Sequence, residues 1–143
     1  MRKTTFIILF TTMTFFGFSQ EDWCGFNRFR ADNERIAKSG EYPEVVFMGN
    51  SITEYWALYH PNFFSEHHYC GRGIGGQTSA QMLARFTSDV VNLRPKAVVI
   101  MAGTNDVAHN TFILTIFQLA KTRKIHIKKG SLSDSPKLLT ANY

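Results

Sequence analysis

Two runs of consecutive apolar residues, each ending in glycine, most constrain how this 143-residue chain can fold. They are "EVVFMG" at 44–49 and "PKAVVIMAG" at 95–103. A strand that is apolar at successive positions has both faces covered, which is typical of parallel sheets. Between the runs, "TSAQMLARFTSDVVNL" at 78–93 has helical apolar spacing and opens with a capping box of Thr78 and Gln81. The alternation predicts an α/β domain, with a mostly parallel sheet and helices on both faces.

Weaker patterns predict the remaining elements. They are a helix at 21–40 ended by Gly40, a short aromatic helix or loop at 54–64 closed by Pro61, a second strand at 67–76 running into a glycine turn, a helix at 112–124, and a strand beginning at 125–127. The final stretch, 128–143, is polar and rich in turn residues and shows no clear element.

The first twenty residues, "MRKTTFIILFTTMTFFGFSQ", have the order of a secretory signal peptide. Arg2 and Lys3 precede an apolar stretch, and Gly17 and Ser19 supply the small residues of a cleavage site. The alternative is a membrane anchor, but the stretch is short and interrupted by threonines. We therefore expect residues 1–19 to be removed, with no stable membrane span afterwards. Residues 20–143 would form one exported domain, periplasmic or extracellular.

The charge and the cysteines limit the partners only coarsely. The formal net charge is +5, and removal of residues 1–19 would lower it by two. Much of the remaining excess lies at 121–130, and a basic cluster of this kind is more often a solvated face than a binding patch. We therefore expect no nucleic-acid partner. Cys24 and Cys70 could pair in an exported protein, and the sequence leaves that open.

Three loops follow predicted strands or turns, where function collects in parallel sheets. Ser51, exposed just past a buried strand, occupies the position of an esterase nucleophile, although a serine there could simply cap the next helix. Gly76 and Asn105 could likewise be ordinary turn and loop residues. The loops are "GNSIT" at 49–53, "GIGGQTS" at 73–79 and "GTNDVAHN" at 103–110.

Together, the blocks G-N-S, G-I-G-G-Q-T and G-T-N-D resemble, in order and spacing, those of the SGNH (GDSL-type) hydrolase family over about residues 21–111. The resemblance implies a flavodoxin-like three-layer α/β/α fold and an exported serine ester hydrolase working through an acyl-enzyme. It makes Ser51 the nucleophile. The backbone N–H groups of Ser51 and Gly76 and the side-chain amide of Asn105 become its oxyanion hole. Asn50 and His109 would border the substrate, a small-molecule or carbohydrate ester, and no cofactor or metal would be needed.

The family's general base is the one part that the sequence does not supply. In the family it comes from a later D-x-x-H segment, but the only aspartate after residue 111 is Asp134, with Lys137 three positions on. Asp106 and His109 match D-x-x-H literally but lie inside the third block. We therefore expect residues 112–143 to be divergent, as in a truncated or frameshifted product. The alternative function is a catalytically inactive remnant or a binding module.

Two further patterns indicate other chemistry. Gly71, Gly73 and Gly76 have the G-x-G-x-x-G spacing of dinucleotide sites, but they follow the second strand and Asp89 comes too early for the ribose-binding acid. The segment "HPNFFSEHH" at 60–68 gathers histidines and a glutamate in a spacing that matches no standard zinc site. We therefore expect neither a dinucleotide site nor a zinc site here, and we interpret the histidines as exposed loop residues.

Overall fold

The computed structural model describes residues 21–111 and, as backbone strands, residues 126–129 and 139–142. The predicted signal peptide at 1–19 and the predicted helix at 112–124 lie outside these residues. Within the described part of the chain, none of the helices is long and apolar enough to cross a membrane.

The elements alternate along the chain largely as predicted. Their bounds are α1 Arg30–Ser39, β1 Val45–Gly49, α2 Ser51–Tyr59, α3 Pro61–Glu66, β2 Tyr69–Gly73, α4 Ser79–Asp89, a 3-10 turn Val91–Leu93, β3 Ala97–Met101, α5 Thr104–Ala108, β4 His126–Lys129 and β5 Leu139–Asn142.

The five strands form one sheet in the order β2-β1-β3-β5-β4. β1 pairs in parallel with both β2 and β3. β5 runs antiparallel to β3, and β4 runs antiparallel to β5. The expectation of no element at 128–143 was therefore wrong, since 139–142 is a strand. Its own residues carry no strand pattern, and it is the pairing with the edge of β3 that makes the segment extended.

Helices cover both faces of the sheet, which confirms the predicted three-layer arrangement. On one face, Val46 and Met48 of β1 lie in a core cluster with Met82 and Phe86 of α4. On the other face, Phe47 of β1 packs edge-to-face with aromatic rings of α2 and α3, 5.1 Å from Trp56 and 5.4 Å from Phe64 between ring centroids. Successive residues of a strand point to opposite faces, so an unbroken apolar run serves both layers.

The predicted helix at 21–40 was too long at its amino end, since α1 begins only at Arg30. Both carboxylate oxygens of Asp22 accept backbone hydrogen bonds, from Phe26 and Asn27 at 2.8 and 2.7 Å, and they fold this segment into turns. Gly25 adopts a positive φ of 71° within it. These bonds compete with helical ones, as short acidic side chains commonly do. The predicted stop was correct, because Gly40 ends α1 with a left-handed φ of 73°.

Pro61 does not close the aromatic segment but opens a second helix. It is the first residue of α3, where its missing N–H costs nothing and its fixed φ suits a helix start. The capping box of Thr78 and Gln81 at the start of α4 forms as predicted.

Two of the three glycines of the G-x-G-x-x-G pattern, Gly71 and Gly73, have a packing role. A Cβ on Gly71 would lie 2.7 Å from the Ala57 side chain, and one on Gly73 would overlap the backbone nitrogen of Glu54. Both glycines lie within β2, where α2 rests directly on the strand. Their spacing therefore reflects the close approach of α2 to the sheet.

Candidate active site

The register of the three parallel strands brings the three loops to one edge of the sheet. Gly49, the last residue of β1, lies opposite Gly73 of β2 and Met101 of β3. The first loop therefore emerges between the other two. This is the carboxyl edge, where ligands bind in open α/β sheets.

Ser51 is the first residue of α2, and Asn50 caps that helix. The Asn50 side-chain oxygen accepts a hydrogen bond of 3.0 Å from the backbone N–H of Ile52. The helix cap is thus filled by the buried Asn50, and the Ser51 hydroxyl is not committed to it. Ser51 itself is half-buried and stands at the positive end of the α2 dipole.

The second loop is a tight turn anchored to the first. The backbone N–H of Ile74 donates to the carbonyl of Gly49 at 3.1 Å. Gly76 has a φ of 74°, the left-handed region that glycine adopts without strain. A Cβ built on Gly75 would lie 3.8 Å from the Ser51 Cβ, so the turn passes directly beside the serine.

The third loop is tied to the second by two side chains. The Asn105 amide donates to the carbonyl of Gln77 at 2.9 Å, which places it one residue from Gly76. An asparagine amide has two N–H donors, so this bond uses only one of them. The fully buried Asp106 carboxylate accepts from the Ser79 hydroxyl at 2.5 Å and from its backbone N–H at 2.8 Å. The structure therefore brings Ser51, Gly76 and Asn105 to one edge, as expected for a site built from all three loops.

A buried arginine lies beneath the loops. Arg85 of α4 is fully buried and donates to the Gln77 side chain at 2.7 Å, to the Arg72 carbonyl at 2.9 Å and to Asp89 at 3.0 Å. Burial lowers the pKa of Arg85, and the hydrogen bond that Arg85 donates to Asp89 opposes that shift. A charged group at this depth requires several partners, and here the partners lie on α4, β2 and the second loop.

The histidines of residues 21–111 lie in different parts of the fold. His68 lies at the opposite edge of the sheet, where its carbonyl accepts from Glu44, the residue before β1. His67 binds the Phe63 carbonyl through Nδ1 and stacks on Tyr69 at 5.2 Å. His109 does lie on the loop edge, at the end of α5, with an exposed side chain. Its backbone N–H donates to the carbonyl of Asn105 at 2.9 Å.

Both cysteines are free, buried thiols, which answers the open question of their pairing. Burial raises the pKa of Cys70 to about 11, and it also raises the pKa of Cys24. Within the described ranges, no three metal-ligating side chains gather as a cation site.

Two contributors to this edge were not assigned roles from the sequence. Asp106 is part of the third block, but its partner Ser79 lies 27 residues earlier. Glu54 accepts a hydrogen bond of 2.7 Å from the backbone N–H of Gly75, 21 residues later. The only sequence signal for Glu54 is its position one helical turn after Ser51, which places both residues on the same side of α2.

The comparisons with known proteins agree with this architecture. Residues 47–125 match the GDSL-like lipase/acylhydrolase family. The crystal structure of a GDSL-like lipase from Bacteroides thetaiotaomicron superposes with a TM-score of 0.61 at 46% identity, covering 71% of this chain and 53% of that one. A protein from Bacteroides fragilis, assigned as an acylhydrolase, gives a TM-score of 0.64 at 44% identity, covering 75% and 57%.

Among curated proteins, the human platelet-activating factor acetylhydrolase IB subunit alpha2 is 31% identical over 119 residues, which is 76% of this chain and 52% of that protein. The chain belongs to the GDSL-like lipase/acylhydrolase family. It spans about half the length of the curated relatives that it matches.

Proposed function

We propose that this chain acts as a serine acylhydrolase with Ser51 as its nucleophile. Ser51 Oγ bonds to the acyl carbon of an ester, and the bond from that carbon to the alcohol oxygen breaks. The alcohol leaves with the proton that the serine loses. Water then cleaves the acyl-serine ester, which releases the acid and restores the Ser51 hydroxyl.

The observation that carries the proposal is the convergence of the three loops. The Gly75–Gly76 turn passes beside Ser51, and Asn105 is hydrogen-bonded one residue further along that turn. The backbone N–H groups of Ser51 and Gly76 and the free N–H of Asn105 would stabilise the oxyanion. Donors fixed before reaction stabilise the developing charge without reorganisation, and the loss of one typically lowers the rate about 100- to 1,000-fold.

For the substrate we propose an ester with a short acyl group, including O-acetyl groups on carbohydrate. Relatives named as acetylhydrolases support the short acyl group. On α2, next to Ser51, Ile52 and Tyr55 are exposed by 50% and 53%. Exposed apolar and aromatic side chains beside a nucleophile would suit an alkyl group or a sugar ring.

The second candidate function is that of an ester-binding module without catalytic turnover, and the placement of the histidines favours it. Within residues 21–111, the one histidine on the loop edge is His109, which lies inside the third block. If no residue takes the Ser51 proton, the chain would bind esters without turning them over. The residual effect of an oxyanion hole and binding alone is weak.

The test compares hydrolysis of 4-nitrophenyl acetate by the wild-type chain, Ser51→Ala and a matched serine control, Ser65→Ala. We expect Ser51→Ala to lower kcat/KM by about 1,000-fold or more and Ser65→Ala, on the exposed α3 surface, to leave it unchanged. Equal rates in wild type and Ser51→Ala would refute the hydrolase. Mass spectrometry of the mixture separates the two functions, since acyl-Ser51 supports the nucleophile, whereas unmodified Ser51 with no turnover above Ser51→Ala favours the binding module.

A further inference from the structure

We propose that Glu54 is a positioning residue. It fixes the Gly75–Gly76 turn, which carries a proposed oxyanion donor, against α2, which carries Ser51. The inference rests on the proposed function for its kinetic consequence, but the contact on which it depends is independent of activity. Nothing in the three sequence blocks assigns a role to this side chain.

The contact joins two parts of the site through one carboxylate. Glu54 lies three residues after Ser51, within the first turns of α2. Its Oε2 accepts the backbone N–H of Gly75 at 2.7 Å. A hydrogen bond to an ionised acceptor is shorter and about twice as strong as a neutral one. This hydrogen bond, which we call the clamp, therefore joins a rigid helix, α2, to the loop that carries Gly76.

The clamp acts on the peptide immediately before the oxyanion donor. A Cβ on Gly75 would lie only 3.0 Å from Glu54 Oε2, so the turn sits tightly on the carboxylate. Gly75 and Gly76 are both exposed, and neither has a side chain that could anchor the turn. Glycine has the widest choice of backbone conformations, so two adjacent glycines need an external tie to hold one N–H direction.

Glu54 is itself held on its other side. Its Oε1 accepts from Arg28 Nη2 at 3.0 Å, and the Glu54 side chain is only 26% exposed. Gly25, in the same turn segment as Arg28, approaches Ile74: a Cβ there would lie 2.8 Å from the Ile74 side chain. The turn segment before α1 thus packs against the second loop through Gly25. Its Arg28 also orients the Glu54 carboxylate that binds the loop.

The contact can be tested without any catalysis. The solvent exchange of the Gly75 amide, measured by NMR, should become about ten- to a hundredfold faster in Glu54→Ala than in wild type. Glu54→Gln keeps an acceptor oxygen and should lie between the two. Glu34→Ala, which removes an exposed glutamate from α1, should leave the Gly75 amide unchanged. Equal exchange in wild type and Glu54→Ala would overturn the proposal.

Kinetic measurements test whether the clamp contributes to stabilisation of the oxyanion. We expect Glu54→Ala to lower kcat about tenfold or more with little change in KM, because the oxyanion exists only after attack. Glu54→Gln should recover much of the loss. Unchanged kcat alongside faster exchange would overturn the positioning role, as would a loss explained by a lower midpoint of urea unfolding. If wild type shows no Ser51-dependent hydrolysis, the proposed function fails separately, and the exchange measurement alone decides the clamp.

Discussion

Side-chain hydrogen bonds hold the second loop in place, in addition to the backbone hydrogen bond that Ile74 donates to Gly49. The Gln77 amide donates to the Cys24 carbonyl at 2.7 Å, Asn105 binds the Gln77 carbonyl, and Glu54 binds the Gly75 N–H. A turn leaves backbone groups without ladder partners, and they must be satisfied in some other way. The shape of the loop therefore depends on a few polar residues, and single substitutions at those positions should change it.

The Cys70 thiol should be nearly inert in the folded protein. Burial raises its pKa to about 11, from an ordinary value of 9.0, so the reactive thiolate is scarce below pH 9. At pH 8 we expect iodoacetamide to alkylate Cys70 about 100-fold more slowly in the native chain than in the urea-unfolded chain. Because the folded pKa is the higher one, reactivity should rise as the pH approaches 11. Mass spectrometry of timed samples measures this, and equal rates in both states would contradict the buried thiol.

At the level of elements, the start of α2 depends on Asn50. Its side chain supplies the cap, so Asn50→Ala should destabilise the chain by about 1 kcal/mol or somewhat more, since the residue is buried. Asn50→Asp retains an acceptor oxygen and should be closer to wild type. Urea unfolding followed by circular dichroism gives both values.

Asn62→Ala provides the matched control for that measurement. Asn62 is exposed in α3, and its side chain caps no helix, so its replacement should change stability by less than about 0.5 kcal/mol. A loss in Asn50→Ala no larger than in Asn62→Ala would mean that the cap contributes nothing.

The elements that could be predicted were those whose signal lies in a local apolar pattern. β1 and β3 are continuous apolar runs, and α4 carries both a stripe and a capping box. The limits of α1 and α2 were harder to predict, because Asp22 and Asn50 set them through side-chain hydrogen bonds to the backbone. β5 follows from pairing with β3, an interaction that its own sequence does not encode.

The same division holds for the candidate site. The position of Ser51, Gly76 and Asn105 at the loop edge could be predicted, because each follows a strand or turn in a recognisable block, while their catalytic roles stay a prediction. The residues that hold those blocks together, Asp106 and Glu54, bind partners 27 and 21 positions away, so a linear pattern could not identify them. Their importance emerges only when the register of three strands places the loops side by side.

For the whole molecule, Arg85 is the point at which the core and the site are coupled. It belongs to α4, which packs on the sheet, yet its guanidinium binds the second loop and β2. It also pairs with Asp89 one turn later, and both side chains are fully buried. Asp89 in turn accepts a hydrogen bond of 2.7 Å from Asn33 of α1. Layers and loops thus share one polar network, whose members should not behave independently.

Replacing Arg85 alone should therefore be far more damaging than replacing an exposed arginine. Arg85→Met removes the cation and leaves the Asp89 carboxylate buried without it, which we expect to cost about 3–5 kcal/mol of unfolding free energy. Arg35 is the matched control, because its ion pair with Asp32 is exposed by 63% and 39%, and Arg35→Met should cost less than about 1 kcal/mol.

The double variant Arg85→Met with Asp89→Asn separates charge from hydrogen bonding. It removes the stranded charge but leaves the Arg72 carbonyl and the Gln77 side chain without their donor, so only part of the loss should be recovered. Urea unfolding of the single and double variants gives the coupling energy directly. Strictly additive losses would mean that Arg85 and Asp89 act separately. Full recovery would mean that the arginine serves Asp89 alone and does not hold the second loop.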